Sequence, residues 1–178
     1  FVSIAGIAPD LRSRTLIVSG VSKSYAMTGW RIGFGVGPEP LIDAMDRLQG
    51  ASTSGASSIA QAAAHGALTG PQEFVSEWAA IFKKRRDRMV RALRDIPKVE
   101  VMAPGGAFYV FPRVAAYYGG AVKGSLALCE LLLETFHVAV VPGDAFGADD
   151  HIRLSFACSD ADIDEGVHRI REGLLTLR

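Results

Sequence analysis

The sequence predicts a mixed α/β protein. Short apolar runs bounded by glycine or proline alternate with segments whose apolar residues recur every three or four positions. The C-terminal part follows the order helix, strand, strand, helix, strand, strand, helix, as expected of a layered α/β unit. A length of 178 residues with 49% hydrophobic side chains is enough for one or two cores.

Taken in order, "RTLIVSG" (Arg14 to Gly20) reads as a buried strand that ends where a serine-lysine segment begins. "WRIGFGVG" (Trp30 to Gly37) alternates bulky residues with glycine, as in a strand closely approached by another backbone or a ligand. From Pro40 to about Gln49, Leu41, Ile42, Met45 and Leu48 recur at helical spacing. "QGASTSGASS" is a small-residue loop, and the alanine-rich helix of Ser57 to Leu68 is entered through serines able to cap it. "TGP" closes this section, and a long amphipathic helix spans about Gln72 to Ile96. A domain boundary is expected there, dividing the chain into residues 1–70 and 71–178.

Beyond it, "KVEVMAP" and "GAFYVFP" are strand candidates separated by the turn "PGG". "GSLALCELLLETFH" is a helix, "VAVVPG" and "HIRLSFA" are strands, and a terminal helix begins at Ser159 with Asp162 three residues on, a capping-box variant.

Nineteen basic and nineteen acidic side chains cancel, and the basic run "KKRRDR" (Lys83 to Arg88) reads as a solvated helix face, so nothing points to a nucleic-acid partner. No membrane span is expected. Two cysteines, Cys129 and Cys158, are too few for a disulfide framework and suggest a reducing, cytoplasmic setting. The four histidines lack metal-ligand spacing, so no metal site is expected and all four read as structural or surface residues. The opening "FVSIAGIAPDLRSR" lacks an initiator methionine and a signal-like core, and is read as part of something longer.

The chemistry concentrates in "VSGVSKSYAMTGWRIGFG", Val18 to Gly35. A lysine amine acts as a nucleophile only when neutral, which calls for burial or a cationic neighbour, and Arg31 can be that neighbour. The arginine fork also suits a phosphate, with Ser22 and Ser24 as further donors. A Ser-x-x-Lys hydrolase fails because Gly20 stands three before Lys23. Walker and dinucleotide-binding loops fail on glycine spacing. A Schiff-base lysine beside a phosphate-anchoring set is what pyridoxal 5′-phosphate requires.

"GVSKSYAMTGWRIG" closely resembles the lysine signature of class I and II aminotransferases, the aspartate aminotransferase-like enzymes of fold type I. "SIAQAAAHGAL", "PGGAFYVFP", "VAVVPGDAFG" and "IRLSFA" follow in the order that family has them, so the resemblance spans nearly the whole chain. It implies the end of a large pyridoxal-phosphate-binding domain over 1–70 and a small α/β domain over 71–178. It also implies Lys23 as the catalytic Schiff-base lysine, Arg31 and Ser22 as phosphate ligands, and Arg153 as the residue gripping the substrate α-carboxylate. Gly20 stands where the family can carry a further phosphate-binding serine, and Ser54 where such dimers bring a polar residue toward the partner's site. Phe108, Tyr109 and Phe146 read mainly as structural residues that can line the cleft.

The implied activity is transfer of an amino group from an amino acid, of the aspartate type, to a 2-oxo acid, by a homodimer. The ring-nitrogen aspartate, the ring-stacking aromatic and the glycine-rich phosphate turn belong, by the same resemblance, to an N-terminal half that is not in this sequence. These residues alone are therefore expected to be inactive, to retain the cofactor poorly, and to self-associate through exposed apolar surface. A lyase or synthase of the same fold, and an aminotransferase-like effector domain of a transcription regulator, are the alternatives.

Overall fold

The computed structural model describes residues 2–177. The chain divides into two compact units, one up to Ser76 and one from Glu77 onward.

In the first unit a short helix α1 (Ile4–Ile7) and a 3-10 turn lead to a two-stranded antiparallel ribbon, β1 (Ile17–Gly20) and β2 (Gly33–Val36). Its register runs from Ile17↔Val36 to Gly20↔Gly33. The last pair is close: a Cβ at Gly33 would lie 2.9 Å from the Ser19 carbonyl oxygen, too near for a side chain without a backbone shift, and one at Gly20 would lie 3.1 Å from that of Ile32, a tight contact. Helices α2 (Glu39–Ser52) and α3 (Ser58–Thr69) follow. The α2 side chains Ile42 and Met45 pack near Gly35, where a Cβ would lie 3.5 Å from Met45 Cε and 3.9 Å from Ile42 Cδ1, at ordinary contact distance.

Two expectations change here. The first strand was expected to be buried, yet all four residues of β1 are exposed, Val18 at 75%. β1 pairs with β2 alone among the described residues, and a two-stranded ribbon cannot cover both its faces. The capping of α3 also differs: Ser57 occupies the N-cap position, but its side chain makes no capping hydrogen bond, and Gln61 instead donates to the Ala56 carbonyl at 2.8 Å.

Helix α4 (Glu73–Arg94) begins in the first unit and runs into the second. The second unit holds a three-stranded antiparallel sheet in the order β3 (Tyr109–Val110), β5 (Ile152–Ser155), β4 (Val141–Pro142). Helices α5 (Ser125–Phe136) and α6 (Asp160–Leu175) complete it. Along β5 the side chains alternate: Ile152 and Leu154 enter the core, while Arg153 and Ser155 face away from it. Leu93 and Ile96, Leu128 and Leu132 of α5, and Ile163, Val167, Ile170 and Leu174 of α6 fill the core with Val110 and Phe156. Truncating any of these leucines to alanine costs about 2–5 kcal/mol. The contact of α5 with α6 is close at Gly173, where a Cβ would meet Leu132 Cδ2 at 2.7 Å.

"KVEVMAP" does not form a strand. Only Glu100 pairs, with Arg113, in a single bridge, because Pro104 and the two glycines after it cannot extend the ladder. The Ser159–Asp162 capping box is complete: each side chain accepts from the other residue's backbone N–H. The basic run is not simply a solvated face. Arg88 pairs with Asp160 and Asp164, and Arg85 lies 3.6 Å from Asp160, so α4 is tied to the first turns of α6. Lys83 and Arg86 both pair with Asp87 within α4. No described helix is long and apolar enough to cross a membrane.

Candidate functional site

The predicted residues fall into two groups, one in each unit. Ser22, Lys23 and Arg31 all lie on the connection between β1 and β2, residues 21–32, closed at its base by the Gly20↔Gly33 pair. The eight-residue separation of lysine and arginine is thus a separation within one loop.

Several features give that loop its shape. Val21 is buried and anchors its start, and a tight turn follows in which the Ala26 N–H donates to the Lys23 carbonyl at 3.1 Å. Ala26 and Arg31 both adopt the left-handed conformation, with φ of 52° and 50°. For residues with a Cβ this costs about 1–2 kcal/mol each, a strain that concentrates at functional sites. The bend at Arg31 returns its side chain to the loop, where Nη1 donates to the Thr28 carbonyl at 2.9 Å.

Lys23 is exposed and Ser22 half-buried. Arg31 forms no ion pair among the described residues. A fixed guanidinium with no carboxylate beside it, on the same loop as a lysine and a serine hydroxyl, suits the phosphate and aldehyde ends of pyridoxal phosphate as a donor set.

Tyr25 is the loop residue that sequence reasoning passed over. Its hydroxyl donates to Gln72 Oε1 at 2.8 Å, its ring meets Phe74 edge-on at 5.9 Å, and Gln72 Nε2 in turn donates to the Ala67 and Gly70 carbonyls. The lysine turn is therefore tied to the segment after α3 by a partner forty-seven positions away. No local pattern announces such a bond.

Arg153 stands on the central strand of the second unit. Its guanidinium carbon lies 4.4 Å from the centroid of the Tyr109 ring and 4.7 Å from that of Phe146. Phe146 is braced edge-on by Phe111 at 5.9 Å, and Phe111 stacks on His151 at 4.8 Å and 13°. His151 Nδ1 lies 2.6 Å from Asp150, and Asp150 also accepts from Arg113 at 2.8 Å. These two contacts, that of Arg113 first, hold the Asp150 carboxyl below its ordinary range. Arg153 itself forms no ion pair among the described residues. A cation held by ring faces keeps its full charge, which is the state needed to receive a carboxylate.

Ser54, in the loop after α2, is exposed and left-handed at φ 62°. No cluster of three His, Cys, Asp or Glu residues able to hold a metal exists among the described residues.

Lys23 and Arg31 thus share one strand-end loop of the first unit, and Arg153, without an ion pair among the described residues, stands on the central strand of the second. The family model for aminotransferase class I and II matches residues 1–170, and the chain belongs to that family. It is 47% identical to aspartate aminotransferase of Rhizobium meliloti (strain 1021) over 176 residues, covering 96% of this chain and 43% of the relative. It is 45% identical to aspartate aminotransferase of Pinus pinaster, covering 96% and 36%. Among solved structures, the Rhizobium meliloti aspartate aminotransferase superposes with a TM-score of 0.92 at 46% identity, covering 98% of this chain and 45% of that one. The Thermus thermophilus aspartate aminotransferase with maleate superposes with a TM-score of 0.85 at 35% identity, covering 96% and 43%. The fold is thus that of the fold type I pyridoxal-phosphate-dependent enzymes, and the chain spans less than half the length of these relatives.

Proposed function

We propose that these residues supply the lysine and two arginines of an aminotransferase that moves an amino group from an amino acid of the aspartate type to a 2-oxo acid. The observation that carries the reading is the sharing of one strained loop by Lys23 and an Arg31 that has no ion-pair partner among the described residues, in a chain of this family.

Pyridoxal phosphate, when bound, supplies an aldehyde that condenses with amines and a ring that draws electrons from the bond broken at the substrate Cα. Lys23 Nζ would hold the cofactor at its aldehyde carbon and, as a free amine, would take up and return the proton at the substrate Cα. Arg31 and the Ser22 hydroxyl bind the phosphate and keep that end fixed. Arg153 binds the α-carboxylate and so orients the Cα–H bond.

The names of the relatives, aspartate and aspartate/prephenate aminotransferases, favour this reading over a lyase, a synthase or a regulator's effector domain. Maleate, present in the Thermus thermophilus structure, is a four-carbon dicarboxylate of the size of aspartate. The domain assignment belongs to the same proposal: 1–70 to a cofactor-binding domain, 71–178 to a smaller one. So do the homodimer and the cytoplasmic setting, the latter in keeping with two free cysteines. The whole activity is assigned to an enzyme of the relatives' full length.

The test uses that full-length enzyme. Lys23→Ala is expected to abolish both amino transfer from aspartate and the absorbance of covalently held cofactor; persistence of the absorbance overturns the assignment. Arg31→Leu is expected to weaken cofactor affinity about ten- to a hundred-fold, as loss of a charge-assisted hydrogen-bonding group does.

A further inference from the structure

An arginine that projects from a sheet is commonly held in place by a carboxylate, which fixes its direction but also neutralises it. Arg153 is held differently. Tyr109 is paired with Ser155 on the adjacent strand, so its ring rises on the same face as Arg153 and reaches it diagonally. Phe146 comes from the 3-10 turn Gly143–Phe146 that follows β4, and closes on the guanidinium from there. Each ring has its own brace: Phe108 against Tyr109 at 4.3 Å, and Phe111, backed by His151, against Phe146.

We propose that Tyr109 and Phe146 are positioning residues that hold the Arg153 guanidinium oriented and un-neutralised, so that the affinity of the site for a carboxylate depends on these two ring faces. This rests on the reading of Arg153 as the carboxylate-binding arginine. The ring faces restrict the side chain before the ligand arrives, and loss of either leaves a longer-reaching, freer arginine that must be ordered on binding. The attraction of a partly desolvated guanidinium to each face is of the size that shifts affinity about three- to thirty-fold.

The test uses the full-length enzyme, with maleate as a non-reacting dicarboxylate measured by calorimetry, alongside steady-state kinetics with aspartate. Phe146→Leu and Tyr109→Leu are each expected to weaken maleate binding about three- to thirty-fold. The same change should appear in KM and not in kcat, since the lost interaction serves binding alone. Tyr109→Phe keeps the ring face and should recover the affinity that Tyr109→Leu loses. A merely structural role would lower the melting temperature without this split or this recovery. Arg153→Leu separates the two claims. If it abolishes maleate binding while both ring variants bind normally, the positioning role is overturned and the carboxylate-binding role stands. Unchanged binding by Arg153→Leu overturns both.

Discussion

The Asp149 carboxylate closes the N-terminus of α5 by accepting from Ser125 twice, from its backbone N–H at 2.8 Å and from its hydroxyl at 2.7 Å. The Ser125 hydroxyl is fully buried and accepts in turn from the Asp144 N–H at 3.1 Å, so one side chain joins a helix start to the turn that carries Phe146. Gly124 makes room for this, since a Cβ there would lie 2.6 Å from Asp149 Oδ2. Ser125→Ala leaves both partners short of a hydrogen bond and is expected to cost about 1–3 kcal/mol, read as a lower urea midpoint at unchanged slope. An unchanged midpoint would contradict the role assigned to this hydroxyl.

Acid should destabilise the protein through the same contact. The Ser125 hydroxyl and N–H hold the Asp149 carboxyl below its ordinary range, as Arg88 does for Asp164 and Ser159 for Asp162. A carboxyl whose folded-state value is depressed contributes stability above its unfolded value of about 3.9 and loses it as pH falls through the folded value. The thermal midpoint is therefore expected to hold from neutrality to about pH 5 and to drop below about pH 4. In Ser125→Ala the drop should be shallower. Stability that rises on acidification would reverse the sign argued here.

Two glycines should respond oppositely to alanine. At Gly143 a Cβ would overlap the carbonyl oxygens of Ala148 and His151, both backbone, so Gly143→Ala is expected to cost about 3 kcal/mol or to prevent folding of the second unit. At Gly166, inside α6, the nearest atom would be Val138 Cγ2 at 3.9 Å. Gly166→Ala is expected to stabilise by about 0.5–1 kcal/mol, through helix propensity. Calorimetric melting of the two variants checks both directions.

The cysteines should be poor nucleophiles. Burial pushes the Cys129 thiol up to about 11, and burial also raises that of Cys158. Alkylation by iodoacetamide at neutral pH is expected to be slow in the folded protein and fast in urea. Rapid labelling of Cys129 without denaturant would show that α5 opens readily.

Much of the helical structure was legible because helix signals are local. The spacing of Leu41, Ile42, Met45 and Leu48 foretold α2, and Ser159 with Asp162 foretold the start of α6. Strands were less legible, since pairing joins distant segments. "KVEVMAP" alternates well enough, yet it pairs only at Glu100, and "RTLIVSG" is apolar yet exposed. The ion pairs of "KKRRDR" with Asp160 and Asp164 were invisible for the same reason: they span more than seventy positions.

Lys23 and Arg31, the residues proposed to hold the cofactor, could be named from a single stretch. Their roles are implied by the resemblance of "GVSKSYAMTGWRIG" to a family signature, and both lie within one loop. The contacts around these residues and around Arg153 came only from tertiary structure. Gly20 pairs with Gly33 at the base of that loop, Tyr25 bonds Gln72, and Arg153 receives rings from Tyr109 and Phe146. Periodicity and capping act within a turn of the chain, whereas these contacts join residues farther apart, and those of Arg153 exist only once β3, β5 and the turn after β4 are brought together by a shared core.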